Sequence, residues 1–320
     1  MKTPDTRLVA DVGGTNTRLA VFDQAKLTFR SVAQFTNRDY DSLQSIIDYW
    51  LKGLEEAAPR AACIAVAAPP STEHVTMINI GWSFSCRALA RQFGFQHLTC
   101  INDFQANAHA LPHLDADDLE QLHAGSKGRG DGLCTVGPGT GLGGANLRYI
   151  NGRPIAFAAE PGHMGLSPGS EMEFAIFELL LRRHGNIYAE LLVSGNGLVL
   201  LYRTIAELAG ISPESMDPAD VSRRGLEGSD AQCVQALQVF CALLGSVCGD
   251  FVLANGCYGG LYLAGGIVPR MATFLRSSDF LKRLHEKGAM GDHLQTMPVY
   301  IITADNPGLI GAAHAPLQSA

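Results

Sequence analysis

Apolar and polar residues change their period several times along this chain, and each change predicts an element. Leu8-Val9-Ala10-Asp11-Val12 is an apolar run of strand length. It breaks at Gly13-Gly14-Thr15-Asn16, and a second run, Thr17-Arg18-Leu19-Ala20-Val21-Phe22, leaves the break. Two such runs around a glycine turn predict a β-hairpin. The pattern recurs where Leu133-Cys134-Thr135-Val136 enters Gly137-Pro138-Gly139-Thr140-Gly141 and Leu142-Gly143-Gly144-Ala145-Asn146-Leu147 leaves it. Residues 31–35 read as a third strand. Over residues 41–54 the apolar positions Leu43, Ile46, Ile47, Trp50, Leu51 and Leu54 recur at three and four residues, which predicts a helix. Residues 61–67 form a short apolar strand that stops at Pro69-Pro70. A helix over 87–93 and a strand over 97–101, ending on Asn102-Asp103, complete an α/β unit.

Residues 114–132 mix acid, His and Gly and read as a connector with one short helix. Beyond the second hairpin, helices are predicted over 171–184, 196–209 and 230–253. The last carries Val234, Leu237, Phe240, Cys241, Leu244 and Val247 along one face. A strand over 259–263 runs into Ala264-Gly265-Gly266-Ile267. A strand over 299–303 and a helix over 308–315 close the chain. The two hairpins predict a duplicated α/β domain, with a nucleotide in the cleft between the halves. The expected division is a smaller domain of residues 1–112 plus 304–320 and a larger one of 113–303.

Composition narrows the function. With 320 residues, 47% hydrophobic and 17% charged, the chain can bury a core for each of two domains. A net charge of −7 argues against nucleic acid as a partner, which needs a basic face. A nucleotide is compatible with that charge, because backbone N–H groups and a metal ion can meet the phosphates. The eight cysteines include no Cys-x-x-Cys pair and no zinc spacing, so they are expected to be buried free thiols. No signal pattern opens the chain, and no uninterrupted apolar stretch reaches bilayer length. The expectation is a cytoplasmic protein with no membrane partner.

Several residues could carry chemistry. Asp11 beside a phosphate-binding turn is electrostatically wrong unless a cation lies between, and Mg²⁺ held through water would resolve the conflict. Equally, Asp11 could cap its own turn. Gly139-x-Gly141-x-x-Gly144 matches a dinucleotide fingerprint, but that motif needs a helix where Ala145-Asn146-Leu147 continues as a strand. Gly265-Gly266 would let a flat base lie on the backbone, or would simply turn the chain. Asp103, at the carboxyl end of a strand, could take a proton from a substrate hydroxyl, or could cap the next helix. Glu160, His163 and Glu190 are polar loop residues suited to sugar hydroxyls, or to solvent.

Taken in order, these motifs resemble the bacterial glucokinases of the hexokinase type, in the actin, Hsp70 and sugar kinase superfamily. The resemblance runs from Ala10-Asp11-Val12-Gly13-Gly14-Thr15-Asn16-Thr17-Arg18 through Ile101-Asn102-Asp103-Phe104 and Gly137-Pro138-Gly139-Thr140-Gly141-Leu142-Gly143. It continues with Glu160-Pro161-Gly162-His163, Glu190, Ala264-Gly265-Gly266-Ile267 and Asp305-Asn306-Pro307-Gly308. It implies a two-domain actin-like ATPase fold, the ribonuclease H-like unit duplicated, and ATP-dependent phosphorylation of glucose at its 6-hydroxyl. By resemblance, Ala10, Asp11, Val12, Gly13, Gly14 and Thr15, with Gly137, Gly139, Thr140 and Gly141, are the two ATP phosphate loops. Gly265 and Gly266 form the adenosine loop. Asp11 holds Mg²⁺ through water, and Asp103 is the general base. Asn102, Asp103, Glu160, His163 and Glu190 hold the sugar, and a homodimer is implied. The chain departs from the family at Pro161, where a glycine is usual, at Met164-Gly165, where a Val-Asp pair is usual, and at Asn79-Ile80-Gly81-Trp82. Proline fixes φ and removes a donor, so the choice of sugar turns on this loop. Two other readings stay open. One is a kinase for another hexose or amino sugar on the same fold. The other is a sugar-binding sensor without turnover, against which Asp103, both glycine turns and the lack of a helix-turn-helix region before Leu8 speak.

Overall fold

Alternating burial builds the first sheet. In β1 (Thr6–Val12), Leu8, Ala10 and Val12 enter one core cluster and Val9 enters another, so both faces of the sheet are covered. The computed structural model describes residues 5–68, 73–77, 80–126 and 130–318. Pro69, Pro70 and Asn79 lie outside them. By its contacts the chain divides into two units, Met1–Leu114 with Pro154–Ala158 and Ala304–Ala320, and Asp115–Arg153 with Ala159–Thr303.

In the first unit β1 is joined by β2 (Asn16–Asp23), β3 (Thr28–Thr36) and β4 (Ala61–Val66). A separate hairpin, β5 (His74–Met77) and β6 (Trp82–Ser85), precedes β7 (His97–Asn102). The five-stranded sheet runs β3-β2-β1-β4-β7. β1, β2 and β3 are antiparallel, whereas β4 and β7 run parallel to β1, with Val12 beside Val66 and Val66 beside Asn102. The carboxyl ends of three parallel strands therefore finish in line. Leu43–Lys52, started by a Ser42 capping box, covers one face with Leu43, Ile46, Ile47 and Trp50. Asp103–Ala110 and Pro307–His314 cover the other, packed where Gly311 meets the Ala106 carbonyl.

The second sheet is formed by β8 (Leu119–His123), β9 (Leu133–Pro138), β10 (Leu142–Ile150), β11 (Arg153–Ala159), β12 (Gly260–Leu263) and β13 (Val299–Ile302). Its order, β11-β10-β9-β12-β13-β8, repeats that of the first sheet with one edge strand added. The fold is thus the duplicated α/β arrangement that the two hairpins predicted. Residues 114–132 are corrected: among the described residues they hold the edge strand β8 and no helix. Only Leu122 of β8 is buried, so no alternation marked it as a strand. The helix Ala231–Asn255 has the length and composition of a membrane span, yet it is a core helix. Gln235 and Gln238 interrupt its apolar run, and 83% of the span is buried inside the protein. Cys233, Leu237, Phe240, Leu244 and Phe251 of this helix lie in the core of the unit. All eight cysteines are free thiols, seven buried and Cys100 half-buried.

Three imidazoles gather where the helices Asp103–Ala110 and Pro307–His314 end. The rings of His113 and His314 stack with centroids 3.4 Å apart, and Phe22 meets His314 edge-on. Arg7 donates to the carbonyl oxygens of Ala312 and Ala315. Burial, with the neighbouring cationic groups, pushes His109 and His314 down to about 4. In the unfolded chain the same imidazoles take a proton near 6.5. Stability is therefore complete above about pH 6.5 and is lost as pH falls toward 4, because the unfolded state binds the extra protons. Thermal unfolding should show Tm falling as pH is lowered from 7 to 5, with a shallower fall in His314→Gln. A Tm unchanged over this range would contradict the assignment.

Candidate functional site

At the end of β1 the chain reverses within four residues. Gly13 N–H donates to the Asn16 carbonyl at 3.0 Å, and Gly14 and Thr15 stand exposed at the tip. Asn37, one residue past β3, is buried at 3% exposure and reaches back into this turn. Ala10 and Val12 are buried in the sheet beneath it. Asp11 is the penultimate residue of β1, and Arg18, opposite it in the register, brings its guanidinium to 3.7 Å. The carboxylate rests against the first turn of the helix Pro307–His314. A Cβ on Gly308 would come within 2.8 Å of Asp11 Cγ, so only glycine leaves the carboxylate its place. Burial pushes the Asp11 carboxyl up, and Arg18 opposes this.

Asn102 and Asp103 end β7 at the same edge of the sheet. Asn102 is the helix cap: its Oδ1 accepts from the N–H groups of Phe104 and Gln105 at 2.9 and 3.1 Å. Its Nδ2 donates to the Ala68 carbonyl at 3.0 Å and to Asp103 Oδ1 at 2.9 Å. Asp103 is the first residue of the helix, and its Oδ1 also accepts from Phe104 N–H at 3.0 Å. Capping thus falls to Asn102, and the capped helix and the Asn102 amide orient the Asp103 carboxylate.

In the second unit the strands β9 and β10 meet in a turn closed by Gly139 N–H donating to the Gly141 carbonyl at 2.7 Å. Thr140 is exposed at its tip. The Gly139 carbonyl accepts from Gly195 N–H at 2.9 Å, which ties the turn to the start of the helix Gly195–Leu208. Gly265 has φ +85° and lies against Pro138, where a Cβ would sit 2.5 Å from the carbonyl oxygen. A Cβ on Gly137 would be 2.6 Å from the Ala264 carbonyl. Two glycine segments more than a hundred residues apart in sequence thus form one floor of bare backbone, with Gly265 and Gly266 exposed.

The polar loop residues join this floor. Glu160 precedes a 3-10 turn, Pro161–His163, in which His163 N–H donates to the Glu160 carbonyl at 3.1 Å. Pro161 takes the first position of that turn, where a missing N–H leaves no bond unmade, and its ring packs on Gly144. The His163 ring stacks near Tyr188, and Ala189 N–H donates to the Met164 carbonyl at 2.8 Å. Glu190 Oε2 accepts from Leu142 N–H at 2.8 Å, directly after the turn. Gly165 pairs with Tyr188, and beyond it the loop is anchored by a buried ion pair, Arg283 to Glu173 at 2.6 Å. Glu160 and His163 are exposed and Glu190 is half-buried.

The structure therefore brings together Ala10–Thr15 with Asn102 and Asp103 at one sheet edge, and Gly137–Gly141 with Gly265, Gly266, Glu160, His163 and Glu190 in the second unit. Asn37 and the contact of Gly308 with Asp11 were missed by sequence reading. A polar residue after a strand is a faint signal, and a glycine early in a helix does not say what it faces. Among the described residues no group of three or more His, Cys, Asp or Glu side chains could hold a metal ion. A single carboxylate beside a glycine turn does fit Mg²⁺, which keeps waters and takes few protein ligands.

A duplicated sheet with a glycine hairpin in each copy is the arrangement of two-domain sugar kinases with the actin-like ATPase fold. The chain's relatives narrow this. The family model described as Glucokinase matches residues 8–319. A Glucokinase of Salmonella arizonae is 40% identical over 308 residues, covering 96% of each chain. The crystal structure of a glucokinase from an Antarctic psychrotroph is 36% identical with a TM-score of 0.87 over 98% of each chain. A glucokinase from Balamuthia mandrillaris, solved in complex with glucose, shares the fold at 22% identity and TM-score 0.75, over 97% of this chain and 93% of that one. The chain belongs to the glucokinase family.

The backbone floor gives a test by stability. Gly265→Ala places a side chain at positive φ and into the Pro138 carbonyl, and should cost more than about 1 kcal/mol in urea denaturation. A variant as stable as the parent would mean that the two segments do not lie this close.

Proposed function

We propose that the chain transfers the γ-phosphoryl group of ATP to the 6-hydroxyl of D-glucose, giving glucose 6-phosphate and ADP. The observation that carries this reading is Asp103, held by the Asn102 cap at the sheet edge where the first glycine turn also ends. In the step, a lone pair of glucose O6 attacks the γ-phosphorus and the bond from phosphorus to the β–γ bridging oxygen breaks. The electron pair leaves with ADP, and the O6 proton passes to the Asp103 carboxylate. The N–H groups of Gly14 and Thr15 in the first turn and of Thr140 and Gly141 in the second meet phosphate oxygens, where negative charge grows in the transition state. Gly265 and Gly266 offer bare backbone for the adenosine. Mg²⁺, held by Asp11 through water, supplies neutralising charge when bound.

Glu160, Glu190 and Asn102 bind sugar hydroxyls, with His163 donating from its ring. Pro161 is compatible with glucose, because the 3-10 turn it starts needs no N–H there. A homodimer, on the strength of the family resemblance, and a cytoplasmic location, on the strength of the free thiols, belong to the same proposal.

Asp103→Ala should lower kcat by about 10²–10⁴ with nucleotide binding retained, equal to roughly 3–5 kcal/mol of barrier. A near-parental rate would remove Asp103 from the mechanism. A coupled assay with glucose, mannose, fructose, glucosamine and N-acetylglucosamine should give the highest kcat/KM for glucose. A higher value for another sugar would make the chain a kinase of that sugar, and sugar binding without ADP release would make it a sensor.

A further inference from the structure

The first glycine turn is held by a residue outside every motif named above. Asn37 follows β3 and is buried at 3% exposure. Its Nδ2 donates to the Gly13 carbonyl at 2.8 Å, and its Oδ1 accepts from Thr17 Oγ1 at 2.8 Å. Its backbone N–H donates to the Thr15 carbonyl, also at 2.8 Å. One side chain and its own peptide therefore touch the entry, the tip and the exit of a turn that contains two consecutive glycines.

This matters for the direction of the turn's N–H groups. In a trans peptide the carbonyl and the N–H point opposite ways, and among the described residues no peptide bond is cis. Drawing the Gly13 carbonyl toward Asn37 turns the Gly14 N–H away from it, and Gly14 is exposed. Two adjacent glycines would otherwise sample many peptide orientations, only some of which offer an N–H to an anion. The amide is also neutral, so it fixes the turn without placing charge beside a phosphate.

We propose that Asn37 is a positioning residue that presets the first turn for a nucleotide phosphate, and that it governs nucleotide affinity rather than sugar affinity. The inference rests on reading residues 10–15 as a phosphate turn. Asn37→Asp has the same shape and keeps an acceptor for Thr17, but sets a carboxylate oxygen against the Gly13 carbonyl. Thr17→Val removes only the hydroxyl and leaves the bond to Gly13 in place.

The test is calorimetric titration with Mg²⁺ and a non-hydrolysable ATP analogue, alongside steady-state KM values for both substrates and Tm for each variant. Asn37→Ala should weaken analogue binding about tenfold, Asn37→Asp more, and Thr17→Val by no more than about threefold. The KM for glucose should stay within about twofold of the parent throughout. An analogue Kd within about twofold of the parent in Asn37→Ala, or equal rises in both KM values with a lowered Tm, would overturn the proposal and leave Asn37 a purely structural residue. The titration needs no turnover, so it separates two failures. A parent that does not bind the analogue refutes the phosphate turn, whereas a binding parent with indifferent Asn37 variants refutes the role of Asn37.

Discussion

The in-register pairing of parallel strands is the constraint on which the rest of both units depends. Val12, Val66 and Asn102 lie side by side in the first sheet, and Val136 lies beside Leu263 in the second. Parallel strands of matched register must finish together, so whatever follows each strand is delivered to one edge. In the first unit that places the Gly13–Asn16 turn beside the Asn102 cap and Asp103. In the second it places Gly137 and Pro138 against Ala264 and Gly265. Slipping one strand by a residue would turn its apolar side chains to the other face and separate these groups at the same time.

Polar groups at these edges are held by local partners. Asn102 uses both ends of its amide, capping a helix with one and binding Ala68 and Asp103 with the other. Asn37 does the same between Gly13 and Thr17. Asp11 differs: a half-buried carboxylate, it faces Arg18 at 3.7 Å and the first turn of a helix, an arrangement that leaves its charge responsive to a neighbouring cation.

The loop of Glu160 and His163 shows how a family departure is absorbed. Proline in place of glycine is costly inside a hydrogen-bonded element, yet Pro161 begins a 3-10 turn and fills the space over Gly144. Glu190, half-buried beside it, gives one carboxylate oxygen to Leu142 N–H, so a candidate sugar ligand and the exit of the second glycine turn share a hydrogen bond. A change at either is felt at the other within a single unit.

Local pattern alone determined the hairpins around Gly13-Gly14 and Gly137–Gly141 and the helices near Leu43–Lys52, Glu171–His184 and Ala231–Asn255. Each of these is written in spacing between near neighbours, which a chain carries before it folds. Edge strand β8 escaped notice because one buried residue makes no period. The capping of Asp103's helix by Asn102, the hold of Asn37 on Gly13, the fit of Gly308 to Asp11 and the closeness of Gly265 to Pro138 were decided only by tertiary structure. These contacts join residues that are far apart along the chain, or choose between adjacent residues of similar chemistry. What fixes them is the register of strands and the close approach of backbones, neither of which the order of side chains states.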